Sequence, residues 1–506
     1  MLEQYFSPFR KHIIGQSLTH TINGTEQDII YADWTASGRL YRPIEDYLTN
    51  ILGPFVANTH TETNLTGSTM TQAYHDAQHV IKKHVNANDD DALICAGSGM
   101  TTVVNKLQRM LGLRIPEQFQ TQCDLPDTQK PVVFITHMEH HSNQTTWNAC
   151  NVSVVVINKG KNGKPCANDL QQKLIDYADR SMKIGSFTAC SNVTGIKTDY
   201  HALAKIMHQH GGICFVDFAC SAPYVDIDMH PADPEEKLDA IFFSPHKFLG
   251  GPASSGVLVF DKTLYANKVP DQPGGGTVTW TNPWGEQGFF DDIETREDGG
   301  TPGFLQTIKV ALAIKVKDQM GIDNIQQRET ELTQILMSGV NNIDGVEVLE
   351  KDVTERLCIV SFYVPNLHYN LIVRLLNDKF GVQSRGGCSC AGTYGHILLN
   401  VDKDMSGSIT NKIDNGDLTD KPGWVRLSLH PTTTNAEAQY VVNSLRQVVE
   451  NAKSWSKEYQ FDLLSGDFKP INQTTQFVTL QDFNPLKETI NSQTSSHKSW
   501  WQKLVG

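Results

Sequence analysis

One lysine lies where its amine could act as a nucleophile. Lys247 belongs to residues 244–252 (SPHKFLGGP), directly after the apolar run 240–243. A lysine in apolar surroundings loses hydration, which lowers the pKa of its amine and frees the lone pair to attack a carbonyl. The alternative is a surface lysine beside a turn, which the apolar, glycine-rich neighbours disfavour. We therefore predict that Lys247 forms an imine with a carbonyl compound.

Two further segments carry groups that suit a charged, phosphorylated ligand. Asp217 ends the apolar run 213–217, and a carboxylate buried there needs a cationic or protonated partner. Residues 96–102 (AGSGMTT) follow another apolar run and open a helix, whose N-terminal N–H groups suit a phosphate. Taken alone, this glycine-rich segment is explained better as a tight turn between a strand and a helix.

Three histidines lie together in residues 137–143 (HMEHHSN). A metal site is one interpretation, but the spacing lacks the i,i+4 pair of a helical zinc motif and no second group of ligands is evident. An imidazole stacked on a flat ring is the other functional interpretation. We predict no metal site, and we expect His137 and His141 to be structural.

A nucleophilic lysine, a carboxylate, a phosphate-binding turn and a stacking imidazole together suit pyridoxal phosphate. The polar pair Ser191 and Asn192 follows a further apolar run. Each group comes directly after a predicted strand, and ligands in α/β sheets bind beyond the carboxyl ends of the strands. The shared position makes the combination more specific than any one of its members.

The elements that must position these groups are short apolar runs alternating with amphipathic segments. The predicted strands are residues 92–95, 132–136, 152–157, 186–190, 213–217, 240–243 and 257–260. Runs that are apolar at successive positions are typical of strands buried on both faces of a parallel sheet. We also expect Asp199 to cap a helix. The fold class is therefore α/β, with a large, mostly parallel sheet flanked by helices.

After about residue 310 the pattern changes to that of a smaller α/β unit. A helix over 304–319 leads into strands at 346–349, 357–364 and 425–429 and a helix at 368–378, and Thr434 with Glu437 forms a capping box for a last helix. We predict an N-terminal segment (1–30), a large domain (31–310), a small domain (311–463) with a polar insertion containing a tight turn (401–423), and a loose polar tail (464–506) docked by Trp500 and Trp501.

Composition excludes several classes of protein. The 506 residues carry a net charge of −13, which argues against nucleic acid as the main partner. We find no apolar run long enough to span a membrane and no secretory signal at the N-terminus. Ten cysteines without a CxxC pair indicate mainly reduced thiols, so we expect a cytoplasmic protein.

The sequence resembles the class V aminotransferases, the group that contains cysteine desulfurases and selenocysteine lyases. The resemblance covers residues 31 to 445 and includes YADWTAS (31–37), MEHHSN (138–143), the segment around Lys247, EDGGTP (297–302) and SRGGCSCA (384–391). It implies a fold type I pyridoxal-phosphate enzyme with a large sheet domain, a small C-terminal domain and a homodimer.

The resemblance also implies roles for matching residues around the cofactor. Lys247 would bind the cofactor as a Schiff base and later move the substrate proton, Asp217 would pair with the pyridine nitrogen, and His140 would stack on the ring. The remaining implied contacts are Asn192 with the phenolic oxygen, Met100, Thr101, Ser244 and His246 with the phosphate, Thr301 with the phosphate of the neighbouring subunit, and Arg385 with the substrate carboxylate.

The last implied group is a cysteine. Cys390 lies five positions after Arg385, the spacing of the catalytic cysteine in one group of desulfurases, where a thiolate takes up the substrate sulfur as a persulfide. Cys388 completes a Cys-x-Cys pair similar to that of the molybdenum cofactor sulfurases, and it could be a resolving thiol, a second sulfur carrier or a small loop residue. Cys220 stands where desulfurases usually have glutamine.

These observations predict an enzyme that acts on a small amino acid. The first hypothesis is a reaction of the cysteine desulfurase or selenocysteine lyase type, which yields alanine and a Cys390 persulfide and can supply a sulfur-acceptor protein. The alternatives are an aminotransferase without persulfide chemistry and a sulfur-delivery protein resembling molybdenum cofactor sulfurase. The exact substrate, the acceptor and the role of the tail stay open.

Overall fold

The computed structural model describes residues 2–22, 25–59, 61–123, 125–471 and 479–486. Its N-terminal residues join the two halves of the molecule. They form α1 (Leu2–Arg10), β1 (Thr19–Ile22), β2 (Thr25–Asp28), β3 (Ile30–Tyr31), α2 (Arg42–Asp46) and α3 (Leu65–His84). The short strand β3 pairs in parallel with residues 382–383 of the small domain. The N-terminal segment therefore contacts the small domain before the chain enters the large domain.

A seven-stranded sheet forms the centre of the large domain. Its strands are β4 (Asp91–Ala96), β5 (Val132–Thr136), β6 (Ser153–Ile157), β7 (Lys183–Thr188), β8 (Ile213–Asp217), β9 (Ala240–Phe243) and β10 (Gly256–Asp261), in the order β4-β10-β9-β8-β7-β5-β6. The strands from β9 to β6 are parallel, and β10 runs antiparallel to both of its neighbours. The mostly parallel sheet predicted from the apolar runs is confirmed.

Helices cover both faces of this sheet. They include α4 (Met100–Met110), α6 (His141–Asn148), α7 (Ala167–Asp176) and α8 (Tyr200–Gln209), whereas the four residues of α5 (Gln120–Cys123), between α4 and β5, are exposed. Successive strand residues enter different cores: Phe215 and Phe242 pack with α4 and α6, whereas Val216 and Phe243 pack with α7 and α8. Burial on both sides explains why most positions of these strands are apolar rather than every second one.

Later elements of the chain complete the large domain and build the small one. They are β11 (Val278–Thr281), β12 (Gln287–Phe289), α9 (Ile293–Glu297), α10 (Phe304–Met320), α11 (Ile322–Asn341), β13 (Glu347–Val348), β14 (Ile359–Tyr363), α12 (Tyr369–Phe380), β15 (Val382–Gln383), β16 (Arg385–Gly387), α13 (Gly392–Leu398), α14 (Lys403–Asp414), β17 (Trp424–Ser428), α15 (Asn435–Trp455), β18 (Tyr459–Asp462) and β19 (Asp467–Pro470). An antiparallel sheet β13-β14-β17-β16 packs with α11, α12 and α15 around one apolar core. The capping box of Thr434 and Glu437 is present at the start of α15.

Three local predictions were wrong. The strand expected at 186–190 is β7, which begins three residues and ends two residues earlier, because its ladder ends where Thr188 pairs with Asp217 and Cys190 turns away to bridge Lys197. Asp199 does not cap α8, since its carboxylate accepts a hydrogen bond from the Lys164 ammonium instead. The segment expected to hold a tight turn contains the helix α14, which Asp402 caps through the N–H of Met405.

The start of the predicted tail is structured where it is described. β18 and β19 form an antiparallel hairpin, and Phe461 and Phe468 pack against the ring of His368 near the start of α12. Trp500 and Trp501 lie outside the described residues. No helix in the described part of the chain is long and apolar enough to cross a membrane.

Candidate active site

A cavity of about 250 Å³ lies where the carboxyl ends of β5, β7, β8 and β9 meet the small domain. Its lining contains all the predicted site residues except Thr301: Met100, Thr101, His140, Asn192, Asp217, Ser244, His246, Lys247, Arg385 and Cys390. Thr301 is exposed and lies after α9, outside this cavity. Residues almost 300 positions apart are thus brought together at the edge of the sheet that the strand order favours for ligands.

Lys247 and Asp217 occupy neighbouring strand ends. Lys247 ends a short 3₁₀ turn (Pro245–Lys247) directly after β9, and burial lowers the pKa of its amine, opposed by the charges of Cys220 and Asp217. The Asp217 carboxyl is almost fully buried and accepts a hydrogen bond of 2.7 Å from the Ala219 N–H. Burial raises the pKa of Asp217 to about 6, while that hydrogen bond and Lys247 oppose the rise. The pair therefore combines a weakly basic amine with a carboxylate that needs a cationic partner.

An anion cradle lies beside Lys247, at the N-terminus of α4. The N–H of Met100 donates to Ser244 Oγ at 2.9 Å, and Thr101 Oγ1 and Ser142 Oγ are 2.7 Å apart. His246 Nδ1 is 3.0 Å from the Ser98 carbonyl oxygen, so this nitrogen carries the hydrogen. Hydroxyl groups and the first N–H groups of a helix of this length make a favourable phosphate site.

Glycines allow the backbone of this cradle and the segments next to it to approach each other closely. Gly97 has φ +57°, and a Cβ at Gly99 would lie 3.1 Å from Ser244 Oγ. A Cβ at Gly256 in β10 would lie 2.3 Å from the Gly99 carbonyl oxygen. The left-handed backbone therefore favours glycine at 97, the approach of Ser244 favours it at 99, and the approach of the Gly99 carbonyl requires it at 256 in β10.

His140 forms a neutral, flat wall of the cavity. Burial, with Lys247 second, lowers the pKa of its imidazole to about 3. Its Nδ1 accepts a hydrogen bond of 3.1 Å from the Ser142 N–H and so caps α6. A neutral ring fixed in this way can stack on an aromatic ligand.

Two arginines share one carboxylate on the small-domain side. Arg385 Nε and Arg426 Nη2 each lie 2.9 Å from a different oxygen of Asp33. The Arg385 side chain is 51 % exposed, whereas that of Arg426 is 3 % exposed and its Nη1 donates to the Asn192 carbonyl. Both cations line the cavity, so both can bind a substrate carboxylate.

Sequence reasoning missed Arg426 and Asp33. Arg426 lies inside the buried strand β17 (WVRLS), where a charged residue requires a partner, and this was the available signal. Asp33 belongs to the YADWTAS segment that carries the family resemblance, yet its ion pairs with Arg385 and Arg426 bridge more than 350 positions. The lining also includes Thr35, Thr188 and Ser142, for which no role was predicted.

Cys390 is the one exposed residue of a loop that is otherwise half-buried or buried (residues 387–392, hereafter the Cys loop). Ser389 and Cys390 both have left-handed backbone conformations, with φ of +51° and +56°. Cys390 is exposed and lies at the rim of the cavity. Cys388 is half-buried and packs against an apolar cluster that contains Trp424 and Tyr394. The loop thus presents one thiol to the cavity and keeps the other against the protein.

A second pair of thiols lies at the back of the cavity. Cys190 and Cys220 both line it, and Cys220 Sγ donates to the Cys190 carbonyl oxygen at 3.0 Å. The contact with the Cys190 thiol, and less strongly the charge of Lys247, lower the pKa of Cys220. Burial and the same contact raise the pKa of Cys190.

The described residues offer no cluster of three His, Cys, Asp or Glu side chains able to hold a metal ion. His137 is buried, and burial lowers the pKa of its imidazole to about 4. His141 lies at the start of α6 and its Nε2 accepts a hydrogen bond from Gly392. The His137 ring packs edge-on against Tyr394, and the His141 ring binds the Gly392 N–H, so both rings contact groups of the protein.

This fold and site define an α/β protein with a lysine, a carboxylate and an anion cradle at the strand ends. The family model of class-V aminotransferases matches residues 30–441, and the chain belongs to this family. The resemblance predicted from the sequence is confirmed.

Curated relatives and solved structures agree with this assignment. The chain is 28 % identical over 367 residues to a probable cysteine desulfurase of Staphylococcus epidermidis, covering 72 % of this chain and 83 % of the relative. It is 27 % identical over 378 residues to one of Staphylococcus aureus, covering 74 % and 85 %. The apo structure of a cysteine desulfurase from Thermococcus onnurineus superposes with a TM-score of 0.69 at 19 % identity, covering 88 % of this chain and 98 % of that one. A cysteine desulfurase from Escherichia coli gives 0.67 at 19 % identity with the same coverage, and these two similarities confirm the predicted fold class.

Proposed function

We propose that this protein is a pyridoxal-phosphate-dependent cysteine desulfurase. It converts L-cysteine to L-alanine and keeps the released sulfur on Cys390 as a persulfide. The observation that carries the proposal is that the Cys390 residue lines the same cavity as Lys247, Asp217 and His140. An aminotransferase needs no thiol at this place.

The residues present fit pyridoxal phosphate. Lys247 would bind its aldehyde, Asp217 would face its pyridine nitrogen, and His140 would lie against its ring. Thr101, Ser142, Ser244, His246 and the N-terminus of α4 would hold its phosphate, a set that offers donors and no carboxylate. Asn192 Oδ1 is buried and has no hydrogen-bond partner among the described residues, so its amide still has capacity for a ligand at this point.

The cofactor supplies an electron-withdrawing ring that acidifies the α-carbon of a bound amino acid. Burial lowers the pKa of Lys247, so its amine is suited to accept the α-proton at neutral pH. Arg426 holds the substrate carboxylate through a fork of N–H donors, with Arg385 as the second, more exposed cation.

The sulfur step belongs to Cys390. Its thiolate attacks the sulfur of the substrate, the carbon–sulfur bond breaks, and the electron pair of that bond passes to the carbon that becomes the methyl group of alanine. A proton taken up at that carbon balances the step, so that cysteine and a thiol give alanine and a persulfide. An exposed thiol that lines the cavity suits this role, because it can reach the sulfur of a bound substrate.

The test uses purified protein supplied with pyridoxal phosphate. We expect a yellow protein whose absorbance changes on borohydride treatment and which makes alanine and sulfide from L-cysteine when a reducing thiol is present. Cys390→Ser should keep the yellow colour and lose alanine formation. Cys123→Ser, at another exposed cysteine, is the matched control and should behave as the wild type.

The alternatives give different results in the same assay. A yellow protein that keeps its activity in Cys390→Ser would indicate an aminotransferase or another lyase. Selenocysteine should be tested beside cysteine, since the site geometry gives no reason to exclude it. A colourless protein that takes up no pyridoxal phosphate would refute the proposal that Lys247 binds this cofactor.

We also propose a homodimer. Thr301 is exposed rather than directed into the cavity of its own chain, as expected of a residue that reaches a neighbouring subunit. The hairpin β11–β12 before it exposes Trp280 and Trp284, the latter 84 % accessible, which is unusual on a free surface. Analytical ultracentrifugation should give twice the chain mass of 56.4 kDa, and a monomer would contradict this proposal.

Two further assignments follow from the proposed activity. A sulfur-acceptor protein is the expected partner, because a persulfide on the exposed Cys390 can be attacked by a second thiol. None of the ten cysteines is in a disulfide, which suits a reducing compartment such as the cytoplasm.

A further inference from the structure

The Cys loop has a backbone conformation that it would not adopt unaided. Ser389 and Cys390 are consecutive non-glycine residues with positive φ. Each such residue costs free energy because its Cβ approaches the backbone, and the conformation persists only where the surroundings impose it. The contacts around Cys390 must therefore hold the loop.

Three hydrogen bonds from the large domain provide that restraint. The N–H of His141 donates to the Cys390 carbonyl oxygen at 2.7 Å, and His141 Nε2 accepts from the Gly392 N–H at 2.8 Å. Asn192 Nδ2 donates to the Ser389 carbonyl oxygen at 2.7 Å. His141 thus contacts Cys390 itself through its backbone and Gly392, two residues later, through its side chain.

The side-chain contact requires one form of His141. Nε2 must be unprotonated to accept from Gly392, so the ring is neutral and its hydrogen lies on Nδ1. Burial lowers the pKa of this imidazole, which favours the neutral form. The contact is also tight, since a Cβ on Gly392 would lie 3.1 Å from Nε2.

His141 is placed by the same turn that places the ring-stacking residue. It follows His140 directly and is the first residue of α6, which packs on the central sheet. Gly392, in contrast, begins α13 of the small domain, 251 positions later. The contact therefore fixes the Cys loop relative to the cavity wall across the boundary between the domains.

We propose that His141 is a positioning residue for Cys390: its neutral imidazole fixes the Cys loop so that the thiol stays at the cavity rim. The proposal rests on the proposed function for its catalytic meaning, and its structural content can be tested apart from it. Loss of the contact lets the Cys loop relax to ordinary backbone angles, which moves the thiol away from the substrate and toward solvent.

The experiment compares four variants of the full-length protein loaded with pyridoxal phosphate. His141→Leu removes the acceptor, His141→Gln offers an amide oxygen near the position of Nε2, and His141→Asn is too short to reach Gly392. His79→Gln, at an exposed histidine of α3, is the control. The cofactor absorbance of each variant shows whether the large domain has kept its fold.

The first readout is the rate at which a bulky maleimide alkylates Cys390, followed by mass spectrometry with fragment ions that separate Cys390 from Cys388. We expect an increase of about fivefold in His141→Leu and His141→Asn, the effect of losing one net hydrogen bond. His141→Gln and His79→Gln should react at about the wild-type rate. If His141→Leu fails to fold, His141→Asn provides the same comparison.

The second readout separates kcat from KM for alanine formation from L-cysteine. His141→Leu and His141→Asn should lower kcat and leave KM and the spectral response to cysteine unchanged, and His141→Gln should restore kcat. Equal alkylation rates in wild type, Leu and Asn variants would overturn the proposal, as would a Gln variant that behaves like Leu. If the wild type makes no alanine but the alkylation rates differ as expected, the positioning role stands and the desulfurase function fails.

Discussion

The two walls of the cavity are built in different ways. The sheet wall consists of Lys247, Asp217 and His140, each within a residue or a few residues of the end of a buried strand. The loop wall consists of Arg385 and the Cys loop, which belong to the small domain and are half-buried or exposed except for the buried Ala391. One wall is fixed by the packed core beneath it, and the other by a few hydrogen bonds across the domain boundary.

The pKa directions follow the same division. Burial is the leading cause of the lowered pKa values of Lys247 and His140 and of the raised pKa of Asp217. A rigid, dry wall can hold groups in protonation states that water would not allow. Cys390 is exposed, so its thiol is accessible to a second protein while it remains at the rim of the cavity.

The difference indicates that the two walls serve different steps of the reaction. Chemistry on the carbon skeleton of an amino acid needs fixed geometry, which strand ends supply. Sulfur must both reach the substrate and leave with an acceptor, so its carrier belongs on a loop held by few contacts. The comparison predicts that substitutions in the sheet wall abolish all chemistry, whereas substitutions in the loop wall abolish selected steps.

The largest effect is expected at Lys247. Lys247→Ala removes the only described lysine amine that lines the cavity, and turnover of any amino acid should fall by about 10⁴-fold or more. Borohydride should no longer attach the cofactor to the chain, which mass spectrometry of the intact protein detects. Lys161→Ala, at an exposed lysine, is the control. Retention of covalently fixed cofactor in Lys247→Ala would disprove the assignment.

Asp217→Asn should have the next largest effect. A neutral amide cannot stabilise a protonated pyridine nitrogen, so kcat should fall by about 10² to 10³-fold, a range typical for the loss of one preorganised electrostatic group. Borohydride should still fix the cofactor on Lys247, because the amine is unchanged. Single-turnover absorbance measurements separate this loss of kcat from a loss of binding. An unchanged kcat would contradict the proposed pairing of Asp217 with the pyridine nitrogen.

The arginines test whether the loop wall or the buried strand beside it binds the substrate carboxylate. Arg426→Lys should raise KM for the amino acid by about 10 to 100-fold, the effect of losing one charge-assisted hydrogen bond from a buried fork. Arg385→Lys should raise it less, since that side chain is 51 % exposed and solvent screens its charge. Steady-state kinetics on both variants decides the order. A larger effect at Arg385 would restore the assignment made from the family resemblance.

Much of the sheet wall could be predicted from sequence because its signals are local. The bounds of β5, β8 and β9 match the apolar runs, and the groups that follow them meet because parallel strands end at one edge. Lys247 and Asp217 were therefore recognisable from their immediate neighbours.

The rest could not be predicted because it depends on distant contacts. The pairing of Asp33 with Arg385 and Arg426, and that of His141 with Gly392, connect the two ends of the fold. The helix α14 was mistaken for a turn although Met405, Ile409 and Ile413 recur at the i, i+4 spacing of one helix face. The signal was weak because the other nine residues of the helix are polar or glycine and none of its residues is buried.

The smallest effect on activity is expected at a buried carboxyl outside both walls. Glu329 of α11 is buried, one oxygen accepts from the Cys358 N–H at 2.8 Å, and the other has no hydrogen-bond partner among the described residues. Burial raises its pKa from 4.5 to about 8, while that hydrogen bond opposes the rise.

Because the folded protein prefers the protonated Glu329 carboxyl, the stability that this group contributes is fully present below pH 4.5 and is lost as the pH rises through about 8. Glu329→Gln, which never ionises, should therefore flatten the fall of Tm across this window, by roughly 1 °C for each kcal/mol of linkage removed, because the unfolding entropy of so long a chain is large. Differential scanning calorimetry from pH 5 to about pH 9 measures this, with kcat at neutral pH as the check that the cavity is unchanged. If kcat of Glu329→Gln falls by as much as that of Asp217→Asn, catalysis depends on a buried group outside both walls. That result would contradict the assignment of catalysis to the two walls alone.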